Sequence, residues 1–417
     1  LYEHQAKQLT DLPEIAELSK TVEWPVIPVL AGMEYEGIRL DTDYLKNFAV
    51  EIDHAVFDLE HQIYDYAGGE VNLGSPSQLA EVLFTKLGLS TGGIKKGKTG
   101  YSTAASELDK LRGKHPIIDL ITQYREVAKL KNTYVDTLPK LVDADSRVHT
   151  TFNLTVAQTG RLSSTDPNLQ NIPTRTDLGR RIRTAFVSSP GNLLVSADYS
   201  QFELRLAAVM AEDQELIDMF NRGADIHTAT AALVYGRQPE DVTKTMRSAA
   251  KTINFGILYG MSPHGLSIAT GMNREQAVSF IERYKKVRKP LFDYMDKTKE
   301  LARQQGYVET LLGRRRPMPD IHSSNFIVRQ GAERAAINMP IQGTEADLMK
   351  LAMIAVDERL PDGARQLLQI HDSILVECKA NQADDISRLL KDTMQNIYKL
   401  PVRLDVDATI ASNWGEL

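Results

Sequence analysis

The chain has 417 residues, 42% of them hydrophobic and 25% charged, which excludes a disordered or collagenous protein and implies two or three domains around a substantial core. A net charge of −6 gives no overall signature of a polyanion binder, and a single cysteine, Cys378, excludes an intrachain disulfide framework and a multi-cysteine zinc site, in keeping with a reducing cytoplasm. No apolar run reaches the roughly 18 residues of a membrane span, and the start Leu1-Tyr2-Glu3-His4, without Met or a signal pattern, reads as the edge of an excised fragment.

The first 25 residues read as a short helical stub, which Trp24-Pro25 and Pro28 punctuate. Gly37-Ile38-Arg39-Leu40 predicts a turn entering a strand. From Asp43 to Tyr66, Leu45, Phe48, Ile52, Val56, Leu59 and Ile63 recur with helical period. Ser75-Pro76-Ser77-Gln78 predicts a helix start, with Ser75 as cap, Pro76 at the first position and Gln78 completing a capping box. A further helix is expected from Pro116 to about Leu138.

Lys86 to Lys131 holds ten Lys/Arg against four Asp/Glu, so residues 41–145 suggest a basic helical lobe, although such a run also suits a plain solvated face. Within it, Gly92-Gly93-Ile94-Lys95-Lys96-Gly97-Lys98-Thr99 matches the phosphate-loop pattern. That motif needs a buried strand before it and a helix directly after it, and neither is predicted here. A basic, Gly-rich tip suited to a polyanion is expected instead.

Val148 to Val156 alternates as a half-buried strand, and Leu193–Ala197 is a second strand, ending at Asp198. Helical spacing returns in Phe202–Met210, Ile226–Val234, Val242–Tyr259, Arg274–Gln304, Asn325–Asn338 and Glu345–Glu358. Leu367–Ile370 and Ile374–Glu377 read as strands around the tight turn His371-Asp372-Ser373. A helix at Asp384–Ile397 and a strand at Arg403–Ile410 close the chain.

Two constellations carry chemistry. Asp198 ends a strand and Asp372 sits in a hairpin. If those strands are neighbours, the two carboxylates can share a pair of divalent cations, as two-metal phosphoryl transfer requires. Taken singly, either Asp also suits a turn or a cap. Arg247, Lys251, Phe255 and Tyr259 recur every four residues, so on one helix all four fall within a stripe of about 120°. Two cations followed by two aromatics suit a triphosphate and a base; an amphipathic helix with a buried aromatic end fits the same spacing. Gly256 and Gly260 weaken that helix and imply a close approach or a movement.

Asp198–Arg205, Arg247–Gly260 (Arg-x-x-x-Lys-x-x-Asn-Phe-Gly-x-x-Tyr-Gly) and Ile370–Glu377 resemble motifs A, B and C of the family A, bacterial DNA polymerase I-like, DNA polymerases. Thr159–Pro173 is similar to the family's primer-template segment, and Asn338-x-x-x-Gln342-Gly343-Thr344 to another of its signatures. The resemblance is collinear from about Pro25 to Leu417. It implies an α+β right-hand polymerase fold with an antiparallel-sheet palm, a helical thumb and helical fingers. The implied division is an N-terminal stub at 1–25, palm at 26–40, thumb at 41–145, palm at 146–205, fingers at 206–320 and palm at 321–417.

The same resemblance implies roles. Asp198, Asp372 and the Tyr199 backbone would bind two Mg²⁺ ions, with Mn²⁺ as an alternative. His227, Arg247 and Lys251 would bind the triphosphate, Lys251 also serving as general acid, while Phe255 would stack on the nucleotide and Tyr259 would hold the closing helix near the template base. Glu203, after Gln201, would exclude a ribose 2′-hydroxyl. Arg161, Asn168, Gln170, Arg334, Asn338, Gln342 and His371 would contact DNA, with Arg161 and Gln342 reading minor-groove acceptors common to all base pairs. Primer-template DNA and deoxynucleoside triphosphates are the implied partners of a monomeric, non-membrane, cytoplasmic and nucleoid-associated bacterial enzyme.

Two departures matter. Motif C in this family normally ends His-Asp-Glu, and Ser373 stands at the last place; activity with weaker or altered metal preference is expected. Phe255, where some relatives carry Tyr, implies discrimination against dideoxynucleotides. An editing domain of about 100–200 residues does not fit ahead of the thumb, so this chain is expected not to proofread. Three readings stay open beside a DNA polymerase. They are a catalytically weakened DNA-binding relative, a phage-type RNA polymerase, against which Glu203 argues, and a P-loop ATPase resting on Gly92–Thr99.

Overall fold

In the computed structural model, which describes residues 2–98, 100–174 and 176–417, one four-stranded antiparallel sheet organises the molecule. Its order is Arg365–Ile370, Ser373–Lys379, Asn192–Tyr199, Val406–Ala411. The strand Asn192–Tyr199 is paired on both sides. Its apolar residues Leu194, Val195 and Ala197 are buried, and the Tyr199 hydroxyl donates to the Met394 carbonyl at 2.8 Å on the helix Ala383–Gln395 behind the sheet. Successive side chains on a strand point to opposite faces. Tyr199 therefore fixes the back face, and Asp198 projects from the front.

Packed against Ala383–Gln395 is a 34-residue helix, Phe326–Arg359, which also meets the helices Trp24–Glu36 and Phe202–Met210. Sequence spacing predicted two helices here with a gap around Pro340. The helix instead continues through Pro340. Proline in a helix costs about 3 kcal/mol, but Met339, Ile341, Leu348, Met349, Met353 and Val356 are all buried, at roughly 1.5–3 kcal/mol each. Pro28 likewise lies inside the helix Trp24–Glu36, whose residues Val26, Val29, Leu30 and Met33 are buried, so the expected break is absent.

Other expectations also shift. Val148–Val156 is not one strand: Arg147–Val148 and Thr151–Asn153 pair with different partners. Arg274–Gln304 is two helices, Arg274–Val287 and Lys289–Gln305, parted at Arg288, two residues before Pro290, because a proline clashes with the preceding turn and lacks an amide in a helix interior but is tolerated in the first turn of a new helix. Ser75 caps its helix, but the Gln78 side chain accepts from the Asn72 amide at 2.9 Å, so the capping box is open on one side. Two short helices, Gln214–Asn221 and Pro263–Thr270, and a hairpin, Tyr307–Glu309 with Arg315–Pro317, had no sequence signal strong enough to predict them.

The helix Thr42–Ala67 opens on an Asp41 cap and ends at Gly68 in the left-handed region. Its far end joins a separate small core of Ile63, Leu79, Leu83, Leu108, Leu111, Ile117, Ile118 and Ile121. The phosphate-loop look-alike falls at this tip. It folds into a hairpin, Lys96–Gly97 against Gly100–Tyr101, and a single turn of π-helix at Glu81–Lys86 stands where a strand would be needed; Thr99 lies outside the described residues. Among the described residues, no helix is long and apolar enough to cross a membrane.

Candidate active site

The sheet brings the two motif aspartates together. Ser373 lies directly opposite Asp198, and the Tyr199 amide donates to the Asp372 carbonyl at 3.0 Å, so both carboxylates sit at one end of two adjacent strands. On the other flank Asp407 lies directly opposite Asp198 and accepts from the Ser200 hydroxyl at 2.6 Å. Residues opposite each other on neighbouring strands share a face. Asp198 opens to solvent, yet the protein packed around it, then the like charges of Asp372 and Asp407, push its carboxyl up to about 6. Asp372 is raised by burial, against the pull of its hydrogen bond with Glu345 and the charge of Arg161.

Two non-glycine residues flank these carboxylates in the left-handed region, Gln201 at φ +55° and His371 at φ +53°. Such geometry costs of order 1–3 kcal/mol and persists only where surrounding structure enforces it. Gln201 turns the strand directly into the helix Phe202–Met210, which presents Glu203 in its first turn.

Glu203 is a junction. It accepts from Arg161 at 2.5 Å, from Gln342 at 3.5 Å and from the Tyr259 hydroxyl. Arg161 also bonds both carboxylate oxygens of Glu345, at 2.7 and 2.8 Å. Glu345 is only 2% exposed; burial first, then the Asp372 charge, lift its carboxyl well above the usual range. At about 100° per residue, Arg334, Glu345, Asn338 and Gln342 fall within about 80° of one helix face. Three of them were predicted; Glu345 was missed because the expected gap at Pro340 made it the start of another helix.

The cationic stripe is shorter than its spacing implied. Lys244–Gly256 is a regular helix carrying Arg247, Lys251 and Phe255, and Tyr259 lies beyond it in a tighter 3₁₀ turn ended by Gly260. Gly260 has φ +72°, and a Cβ there would stand 2.9 Å from Arg334 Cδ. Both facts require glycine. At Gly256 a Cβ would meet the Met261 side chain at 2.3 Å, so the close approach inferred for both glycines is by the protein's own side chains.

Arg247 Nε donates to Asp225 at 2.7 Å, and Asp225 also caps the helix Ile226–Tyr235. Although burial opposes it, hydrogen bonds from Arg247 and Thr228 hold the Asp225 carboxyl well below its ordinary range. His227 is 5% exposed, and burial followed by the Arg247 charge lowers its pKa, which favours the neutral ring. Asn254 Nδ2 lies 3.1 Å from Nδ1; since Nδ2 only donates, the ring proton sits on Nε2. The His227 ring lies 5.6 Å from Phe255. Lys251 is exposed. Among the described residues, Arg247 pairs with Asp225, and no ion pair joins Arg247 or Lys251 to Asp198 or Asp372.

The residues expected to contact DNA line the same region unevenly. Arg161, Gln170, Glu345, Gln369 and His371 surround a pocket of about 40 Å³. Gln170 is engaged with the Gln369 carbonyl at 3.0 Å, and Arg334 is exposed. Among the described residues, ten buried side-chain polar atoms lack a partner, and four belong to this region: Arg161 Nε, Asn168 Oδ1, Gln201 Oε1 and Asn338 Oδ1. Buried polar atoms are nearly always paired.

Asp407 and Asp225 were also missed. Asp407 lay in a predicted strand, but only the sheet order sets it against Asp198. Asp225 directly precedes the helical run Ile226–Val234, and its bond to Arg247 is tertiary.

Comparison with known proteins gives this geometry a family. Residues 42–416 match the model of DNA polymerase family A. The chain is 48% identical over 417 residues to the thermostable DNA polymerase I of Thermus thermophilus, covering 99% of this chain and 50% of that one. It is 45% identical over 415 residues to DNA polymerase I of Deinococcus radiodurans, covering 99% and 43%. The chain thus spans about half the length of the curated relatives it matches. Among solved structures, the POL domain of Pol1 from M. smegmatis, in complex with DNA primer-template and dNTP, superposes with a TM-score of 0.91 at 41% identity, over 98% of this chain and 73% of that one. The fold is accordingly the α+β polymerase right hand, and the chain belongs to DNA polymerase family A.

Proposed function

We propose that this chain extends a primer 3′-hydroxyl along a DNA template, taking nucleotides from deoxynucleoside triphosphates with release of pyrophosphate. The observation that carries this reading is the meeting of Asp198 and Asp372 at one end of two paired strands. The donor set fits divalent cations: both are carboxylates, and the crowding that raises Asp198 is relieved by positive charge. Asp198, Asp372 and the Tyr199 carbonyl would hold two Mg²⁺ ions, or Mn²⁺. When bound, the ions lower the pKa of the primer hydroxyl and neutralise charge on the transferring phosphate.

The chain's own groups do the rest. Arg247 exchanges Asp225 for phosphate oxygens, and the Nε2 proton of His227 adds a hydrogen bond. Lys251 gives its proton to the departing pyrophosphate. Phe255 stacks on the base, and the Glu203 carboxylate, held by Arg161 and Tyr259, walls off a 2′-hydroxyl. Arg161, Asn168, Gln170, Asn338 and Gln342 hydrogen-bond the primer-template, with Arg334 and His371 beside it. In this reading residues 41–145 are the thumb, 26–40, 146–205 and 321–417 the palm, and 206–320 the fingers, acting as a monomer in the bacterial cytoplasm.

Primer extension with four deoxynucleotides and Mg²⁺ tests the proposal: the intact chain extends, and Asp198→Ala does not. A mismatched primer end is extended or left, not excised, by this chain. Ser373 favours one other reading, a weakened relative that binds DNA without turnover; tight primer-template binding with no incorporation under Mg²⁺ or Mn²⁺ would establish it.

A further inference from the structure

We propose that Arg314 is a positioning residue for Arg161, acting as the seat for the backbone just before it. The proposal rests on the polymerase reading, in which Arg161 contacts the primer-template. Arg161 is tied at its tip by Glu203 and Glu345. A long side chain tied only at its tip can still pivot about its base, so its placement depends on the preceding chain. At Gly160 a Cβ would stand 2.6 Å from Arg314 Nε and 2.8 Å from its Cδ and Cζ, so the Arg314 side chain lies directly on the Gly160 backbone. At Gly343 of the long helix a Cβ would stand 2.6 Å from Thr310 Cγ2 and 3.2 Å from the Thr159 carbonyl oxygen. The Gln158 side chain accepts from Arg316. Residues 158–160 are thus clasped between the hairpin of Tyr307–Glu309 with Arg315–Pro317 and the long helix.

A seat has to be rigid, and Arg314 is fixed on several sides. Its Nε donates to Asp347 Oδ1 at 2.7 Å, and its Nη2 donates to Glu23. The Thr310 hydroxyl donates to the other Asp347 oxygen at 2.7 Å and accepts from the Arg314 amide at 3.0 Å. Lys350, only 1% exposed, donates to the same Glu23 oxygen at 2.7 Å. Two cations therefore meet two carboxylates, and a buried ionic group persists only when it is balanced and hydrogen-bonded in this way. A planar guanidinium gripped by two carboxylates has one orientation. Glu23 comes from the N-terminal segment, Arg314 from the hairpin, and Asp347 and Lys350 from the long helix, so three elements converge on the seat.

The experiment is a double-mutant cycle on the full chain, Arg314→Lys with Arg161→Gln. It is read by single-turnover incorporation and primer-template affinity, and by amide hydrogen exchange of residues 158–163 in the chain without DNA. Arg314→Lys keeps the charge but not the planar fork. It is expected to slow incorporation about 10-fold, with primer-template affinity within about 3-fold, and to speed exchange at residues 158–163. In the Arg161→Gln background the same change is expected to cost less than about 2-fold, because the group it positions is already gone. Should Arg314→Lys fail to fold, Glu23→Gln, which leaves the Asp347 contact in place, is expected to give the same cycle with a loss of about 3-fold. Losses that multiply in the pair overturn the proposal, as does a variant that melts earlier yet incorporates at the intact rate. An intact chain that never extends a primer refutes the polymerase reading. Exchange at residues 158–163 then decides the seat: faster in Arg314→Lys supports it, and unchanged overturns it.

Discussion

The two carboxylates sit at the end of strands paired on both sides, whereas the cations ride on a helix tied to its neighbour by side chains, Arg247 to Asp225 and Asn254 to His227 and Thr230. Asp198 is fixed by the ladders to Ser373–Lys379 and Val406–Ala411 and by Tyr199 anchored behind the sheet. Arg247 is held by Asp225 on a neighbouring helix, and Tyr259 by Glu203; Lys251 between them is exposed. The contrast separates two tasks. Reacting groups need fixed geometry, which a ladder of hydrogen bonds gives. In the proposed function the cations meet a charged substrate, which needs donors that can exchange one partner for another, as an exposed Lys251 and an Arg247 paired to a surface carboxylate can.

Breaking the fixed side should cost most. Asp198→Ala or Asp372→Ala is expected to lower single-turnover incorporation at least about 10³-fold while the protein folds and binds primer-template; a loss below about 10-fold would show that the carboxylates do not do the chemistry. Lys251→Ala should cost about 10²-fold in kcat if it donates a proton, with an altered alkaline limb of the pH–rate profile. A rise in nucleotide KM alone would reduce it to a binding group. Tyr259→Phe removes one hydrogen bond and is expected to shift nucleotide KM about 5-fold with kcat nearly unchanged. A kcat loss as large as that of Asp198→Ala would mean the helix tie is part of the fixed machinery.

The smallest effect concerns stability on the tethered side. The folded Asp225 carboxyl lies below its ordinary value, so its contribution is complete above the unfolded value near 4 and disappears as pH falls below it. Asp225→Asn should therefore cost about 0.5–1 kcal/mol at pH 7 and progressively less below about pH 4, read from melting curves. A cost that persists unchanged at pH 2 would assign it to packing.

The same contrast governs what the sequence made legible. Asp198 and Asp372 stood out because one ends an apolar strand and the other sits in the tight turn between two, both local patterns. That Asp407 faces Asp198 depends on strand order, which no local pattern carries. Glu345 was hidden by Pro340, whose usual helix-breaking effect lost to the buried face of a 34-residue helix. Tyr259 was placed on a helix that in fact tightens after Gly256. Short elements such as Gln214–Asn221 and the hairpin at Tyr307–Pro317 draw their stability from tertiary packing, and their own periods are too brief to register.

In the proposed mechanism Asp198 and Asp372 act as one unit on the same ions. A double-mutant cycle of single-turnover rates, using Asp198→Asn, Asp372→Asn and the pair, tests this directly. The pair is expected to be no slower than the worse single variant, since either loss already dismantles the site. Losses that multiply would show two independent contributions and contradict it.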